Sequence, residues 1–202
     1  KDVAPLQRYQ DAPGSAYHAP HVLFYIEKYR NEKGTEVTYL ADTNALHKLN
    51  YSFVRDINKE TGPDLKRVVD SLTRGITAAE DKARHIYQWV QEHIKYIAFE
   101  AGMEGFIPRD ANFVYARRFG DCKDMSSILT VMLNAAGVPA YYAWIGTRSL
   151  PYSYRETPLP LVANHMICAI QLKKDEYIFL DGTDATCVFG IPSSHIQGKE
   201  AM

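Results

Sequence analysis

Between residues 125 and 136, Met125, Ile128, Leu129, Met132, Leu133 and Ala136 recur at intervals of three and four, one apolar stripe of an amphipathic helix. Gly137 and Pro139 follow, the residues that stop a helix most cheaply. Just before the stripe stands Gly120-Asp121-Cys122, which reads as a tight turn feeding the helix and placing Cys122 in its first turn. Upstream, two segments rich in aromatic and β-branched residues, 22–29 and 35–40, flank Asn31–Gly34 and predict a hairpin. Asp42 or Thr43 is a candidate cap for a short helix to about residue 55. Gly62-Pro63-Asp64 predicts another start, with Asp64 as cap and Leu65, Val68, Val69 and Leu72 on one face. Thr77 with Glu80 has the spacing of a capping box. The helix behind it carries Ala83, Ile86, Tyr87, Val90 and Ile94 at helical spacing and is expected to reach about Lys95. Residues 96–99 read as extended, 102–108 as a loop, and Asp110 as the cap of a short helix to Arg117.

After Gly137 the period changes to that of strands, predicted at 140–146, 164–172 and 177–181, with a turn at 173–176. A long loop with three prolines, 147–163, interrupts them, and its length points to function. Helices first and an antiparallel sheet second make an α+β fold. Residues 1–20, with three prolines and a glycine, read as an irregular arm. The division expected is 1–60 as an arm or the end of a preceding domain, and 61–202 as the main domain. The tail from Thr186 carries no clear element.

Composition narrows the classes. A chain of 202 residues with 46% hydrophobic and 23% charged residues is ordinary for a globular domain. A net charge of −1 and no basic block argue against a nucleic-acid partner. No apolar run is long enough for a membrane span. Three cysteines, an odd number, argue against a disulfide scaffold, and the lack of a CxxC pair excludes a zinc ribbon or thioredoxin motif.

The chemistry converges on Cys122. A helix N-terminus carries unsatisfied N–H groups and partial positive charge, which favour thiolate over thiol. His165 opens one predicted strand and Asp181 closes the next, so a hairpin brings them together. Thiol acyl chemistry needs this set: a nucleophile, an imidazole to carry its proton and a carboxylate to hold the imidazole. The Cys122 backbone N–H is the first candidate oxyanion donor, and Tyr96 and Trp89 are candidates for the second. Each position also has a structural reading: a buried cysteine, a strand histidine, a turn aspartate, and Asp121 and Asp124 as a cap and a solvated charge. The agreement of the three in the order Cys–His–Asp carries the catalytic one. A zinc site on Cys122, His165 and an aspartate has suitable ligand types but lacks short paired spacing.

These residues resemble a known family. Tyr87–Tyr96, Gly105–Arg109, Phe119-Gly-Asp-Cys-Lys-Asp124, Ala136-Gly-Val-Pro139, Asn164-His165 and Phe179–Thr183 are similar to the transglutaminase-like superfamily. The nearest likeness is to a bacterial branch in which this domain follows an N-terminal β-sandwich domain. The resemblance implies a papain-like α+β core, a Cys122–His165–Asp181 triad, and amide hydrolysis or acyl transfer without metal or cofactor. It adds Asn164, and with the flanking loops Phe106, as substrate-binding candidates. It implies a peptide or protein substrate, a longer multidomain protein, and a periplasmic or cell-envelope location. Two positions depart from the family pattern, Ile167 where many members have Trp and Gly182 where Pro is common. The alternative is a non-catalytic module that keeps the fold and binds peptide or glycopeptide.

Overall fold

A computed structural model describes residues 13–202. The arm expected over residues 1–20 therefore falls partly outside the described residues, at 1–12. The hairpin forms, but shorter than expected, as β1 (Lys28–Arg30) and β2 (Glu36–Thr38) with Tyr29 opposite Val37. The apolar stretch before it, Val22 to Ile26, lies outside the ladder, and Phe24 is 92% exposed. β propensity becomes a strand only where a partner and a surface to pack on are present, and among the described residues this stretch has neither.

Helix α1 (Thr43–Val54) is capped as expected, the Ala45 N–H donating to Asp42 Oδ1 at 2.8 Å. Helix α2 (Pro63–Leu72) starts earlier than Asp64: Gly62 is its N-cap and Pro63, with no N–H to lose, occupies the first turn. Helix α3 (Ala79–His93) lacks the expected capping box, because its N-cap is Ala78 and Thr77 lies outside the helix. β3 (Lys95–Tyr96) pairs in parallel with β4 (Phe119–Gly120), and between them lies α4 (Ala111–Arg117), capped by Asp110 as expected.

Helix α5 (Cys122–Ala135) is the centre of the molecule, and every residue from Cys122 to Leu133 is buried. Its apolar stripe packs in one cluster with Leu65 and Val69 of α2, Ile86 and Val90 of α3, and Val114 of α4. The rest of its surface carries small polar side chains whose hydrogen bonds are met at close range. Ser126 donates to the Cys122 carbonyl at 2.9 Å and Ser127 to the Arg109 carbonyl at 2.8 Å. A helix can be buried all round only when such groups find partners. It ends at Gly137, whose φ of +78° is the left-handed conformation the sequence predicts there.

The sheet has the order β5 (Ala140–Ile145), β6 (His165–Lys173), β7 (Glu176–Leu180), all antiparallel. Cys168 and Ile170 join the α5 cluster, while Ile167 and Ala169 pack with Ala143 and Ile145 on the other face. The tail returns to this sheet. Trp144 and Met202 exchange backbone hydrogen bonds of 2.9 Å, so the end of the tail extends the β5 edge. Among the described residues, no helix is long and apolar enough to cross a membrane.

Candidate active site

The start of α5 is built by charge. Asp121, the N-cap, accepts from the Lys123 N–H at 2.9 Å and the Asp124 N–H at 3.2 Å, while Asp124 accepts from the Asp121 N–H at 3.1 Å. This is a capping box with aspartate in both roles. Both carboxylates are buried, so the alternative structural reading of Asp124 as a solvated charge does not hold. Each has a cation: Lys123 Nζ lies 2.8 Å from Asp121, and Arg109 Nη1 lies 2.6 Å from Asp124. Burial nevertheless raises the Asp121 pKa above the usual carboxylate range, with Asp124 adding to the effect and Lys123 opposing it. Gly120 permits this packing, since a Cβ there would stand 2.3 Å from Asp124 Cβ.

The box uses the second and third N–H groups of the helix. The Cys122 N–H, the first, has no acceptor among the described residues. Cys122 is 4% exposed, and together with His165, Phe106, Asn164, Lys123 and Asn50 it lines a cavity of about 150 Å³.

His165 enters from the start of β6, opposite Ile145. Its Nε2 lies 3.0 Å from Asp181 Oδ2. Burial alone lowers the imidazole pKa, but Asp181 first and Cys122 second outweigh it and raise it to about 9. Asp181, one residue beyond β7, is held well below the usual carboxylate range: burial opposes this, and His165, Ser193 and Thr183 overcome it. Thr183 bonds Oδ1 through its N–H at 3.1 Å and its hydroxyl at 2.7 Å, and Ser193 donates to Oδ2 at 2.7 Å. The Asp181 backbone is fixed as well, its carbonyl accepting from the Tyr87 hydroxyl at 2.7 Å.

The structure thus gathers Cys122, His165 and Asp181, with Phe106 and Asn164 at the cavity. Asn164 is held by Thr147, whose N–H donates to Asn164 Oδ1 at 2.8 Å. Tyr96 stands opposite Gly120 in the β3–β4 pair, and its hydroxyl pKa is raised by burial and then by Cys122. It lines a separate cavity with Gly182 and Thr183. Trp89 is not brought to the site. It sits on the α3 face that meets α4, where it stacks on His93 and Tyr115 with Arg118 over its ring. Cys168 is fully buried against Thr130, and burial pushes its thiol up to about 12.

Several contributors escaped the sequence reading. Leu46 and Asn50 of α1 line the Cys122 cavity, as does Trp144; Tyr154, from the 147–163 loop whose length points to function and whose aromatics are expected to flank the cleft, lines it as well. Thr183 had a local signal, since a hydroxyl two residues after an aspartate often bonds it; Ser193 and His195 had none. One group of metal-ligating atom types occurs among the described residues, on His165, Asp181 and His195. Its shared atom, Asp181 Oδ2, is already engaged by His165 and Ser193.

Over residues 66–181 the sequence matches the transglutaminase-like superfamily, and the chain belongs to that superfamily. One solved structure agrees in fold, and two others are similar to a lesser degree. A Parabacteroides distasonis protein described as a "putative protease" is 17% identical, with 80% of this chain and 31% of that chain covered and a TM-score of 0.55. A "putative cysteine protease" from Cytophaga hutchinsonii is 17% identical over 60% of this chain and 37% of its own, with a TM-score of 0.42. Legionella pneumophila LapG, in its EGTA-treated form, is 15% identical over 81% of each chain, with a TM-score of 0.48. The chain spans about a third of the length of the first two. No curated protein matches significantly.

Proposed function

We propose that the protein is a thiol-dependent enzyme acting on amide bonds of peptide or protein substrates. The observation that carries this reading is His165, with its Nε2 on Asp181 and its charge stabilised by both Asp181 and Cys122. In the proposed reaction the Cys122 sulfur attacks the amide carbonyl carbon. The tetrahedral oxyanion is received by the free Cys122 N–H, with Tyr96 as the candidate second donor. The C–N bond then breaks, the imidazolium of His165 gives its proton to the departing amine, and a thioester remains. Water or an incoming amine, deprotonated by His165, attacks the thioester and frees the thiol. Asp181 holds the ring and stabilises its charge throughout. Phe106 and Asn164 contact the substrate at the cavity.

Water as acceptor gives hydrolysis and an amine gives acyl transfer. The experiment is a screen of peptide amides with wild type and Cys122→Ala, with and without added amine. Thiol-dependent amine release supports the reading, and an added amine captured in the product assigns transfer. A wild-type rate equal to that of Cys122→Ala on every substrate contradicts it. One observation favours the second reading, a non-catalytic peptide-binding module: Cys122 is only 4% exposed. Peptide binding without thiol reactivity would select that reading.

A further inference from the structure

The ladder of β6 and β7 does not by itself deliver Asp181 to His165. The last pair of the ladder is Leu180 with Cys168. Continuing that register by one residue sets Asp181 opposite Ile167, two residues short of His165. The carboxylate therefore reaches diagonally along the strand, a separation side chains can bridge but strand pairing does not fix. Something else must hold it.

A carboxylate has two oxygens and about four acceptor directions, and donors from three segments take them. Thr183 supplies both contacts to Oδ1. His165 and Ser193 share Oδ2, at 3.0 and 2.7 Å. A second imidazole stands near that same oxygen: His195 Nε2 lies 3.8 Å from it, with its ring 5.4 Å from the ring of His165. His195 is about half exposed, whereas Ser193 is 5% exposed. Ser193 is fixed by the turn it opens. The Ile196 N–H donates to the Ser193 carbonyl at 3.0 Å, and the Ile196 side chain is buried against Ile145, Ile167 and Ala169. The position lies beyond the segment that matches the superfamily, which ends at residue 181.

We infer that Ser193 is a positioning residue of the proposed triad, its hydroxyl holding Asp181 Oδ2 on His165 and away from His195. This rests on the function proposed above. The titratable groups facing His165 are Cys122 from α5, Asp181 after β7 and His195 from the tail, with Lys123 and Glu100 across the cavity. Without the hydroxyl, Oδ2 divides between the two imidazoles.

The test follows His165 directly, by nitrogen NMR of the labelled histidine rings across pH, together with the rate of Cys122 alkylation by iodoacetamide. In Ser193→Ala the His165 midpoint moves down, because Oδ2 shared with His195 holds the His165 charge less well, and alkylation at pH 6.5 falls about tenfold, the equivalent of about one pKa unit. Ser193→Thr keeps both near wild type. Adding His195→Ala to Ser193→Ala restores most of the loss, because the competitor is gone. A Ser193→Ala protein that melts lower but keeps the wild-type midpoint and alkylation rate would overturn the inference, as would a double variant no better than the single one. If wild-type Cys122 proves inert, the function proposed above fails, while the NMR midpoints still decide whether Ser193 holds Asp181.

Discussion

Two charged clusters meet at the first turn of α5 and are built on opposite terms. In one, Asp121 with Lys123 and Asp124 with Arg109 form pairs whose carboxylate oxygens are closed off by backbone N–H groups. In the other, Asp181 is saturated with donors, and the imidazole it holds, His165, stands at a cavity that the Cys122 thiol also lines. Buried pairs of the first kind add little net stability, because desolvation consumes most of the attraction, yet breaking one is costly. The first cluster fixes where the helix begins. In the function proposed above, the second spends an equally expensive arrangement on one sulfur atom. Closure separates structure from chemistry here, since both clusters are comparably buried.

Variants can break the comparison from either side. The largest effect expected is on the open cluster: Cys122→Ala lowers amide turnover by about 10⁴-fold or more, while its melting temperature stays close to wild type. Asp181→Asn follows, with a loss of about 10²–10⁴ in kcat. It also moves the alkaline limb of the kcat/KM profile, expected near pH 9 from His165 in the wild type, to lower pH, because the largest influence raising that pKa is gone. Asp124→Ala acts on the closed cluster. It leaves Arg109 with Glu104 as its remaining close partner and the Asp121 N–H unpaired, costs about 1–3 kcal/mol in denaturant unfolding, and leaves the protein that remains folded reactive at Cys122. Cys168→Ser has the smallest effect, about 1 kcal/mol of stability or less through its Thr130 contact, with turnover unchanged.

Stability against pH sharpens the same contrast. His165 has a raised folded-state pKa, so its contribution is full below its unfolded value of about 6.5 and is lost as pH rises through about 9. Asp181 has a lowered one, so its contribution is present above the usual carboxylate value near 3.8 and is lost as pH falls through its folded value, below that range. The Asp181→Asn protein should show a flatter stability profile on both sides, measured as denaturant midpoint from pH 3 to 10.

Much of this was legible in the sequence, for reasons that are local. The α5 stripe, its cap at Asp121 and its stop at Gly137 are each set by a few neighbouring residues, and so is the return of β6 onto β7. What failed to read was set from a distance. Asp124 looks like a surface charge until Arg109, fifteen residues away, turns onto it. Helix α3 has a plausible capping box in Thr77 and Glu80 but begins at Ala79 without using it. Val22 to Ile26 has the composition of a strand and lies exposed. Trp89 stands close in sequence to Tyr96 yet points to α4, because fifteen residues of helix fix which face it takes. Ser193 lies in a tail without periodicity, and the burial of Ile196, with the Arg148 N–H on the His195 carbonyl and the pairing of Met202 with Trp144, brings it to Asp181.

The central claim, that the Asp181–His165 pair acts on the Cys122 sulfur, is tested most directly by site-resolved iodoacetamide alkylation across pH 5 to 9, in wild type and His165→Ala. The account predicts that Cys122 reacts fast already near pH 6, that Cys168 does not react in the folded protein, and that His165→Ala loses the fast reaction at low pH. Equal Cys122 rates in the two proteins at every pH, or a Cys122 as unreactive as Cys168, would contradict it.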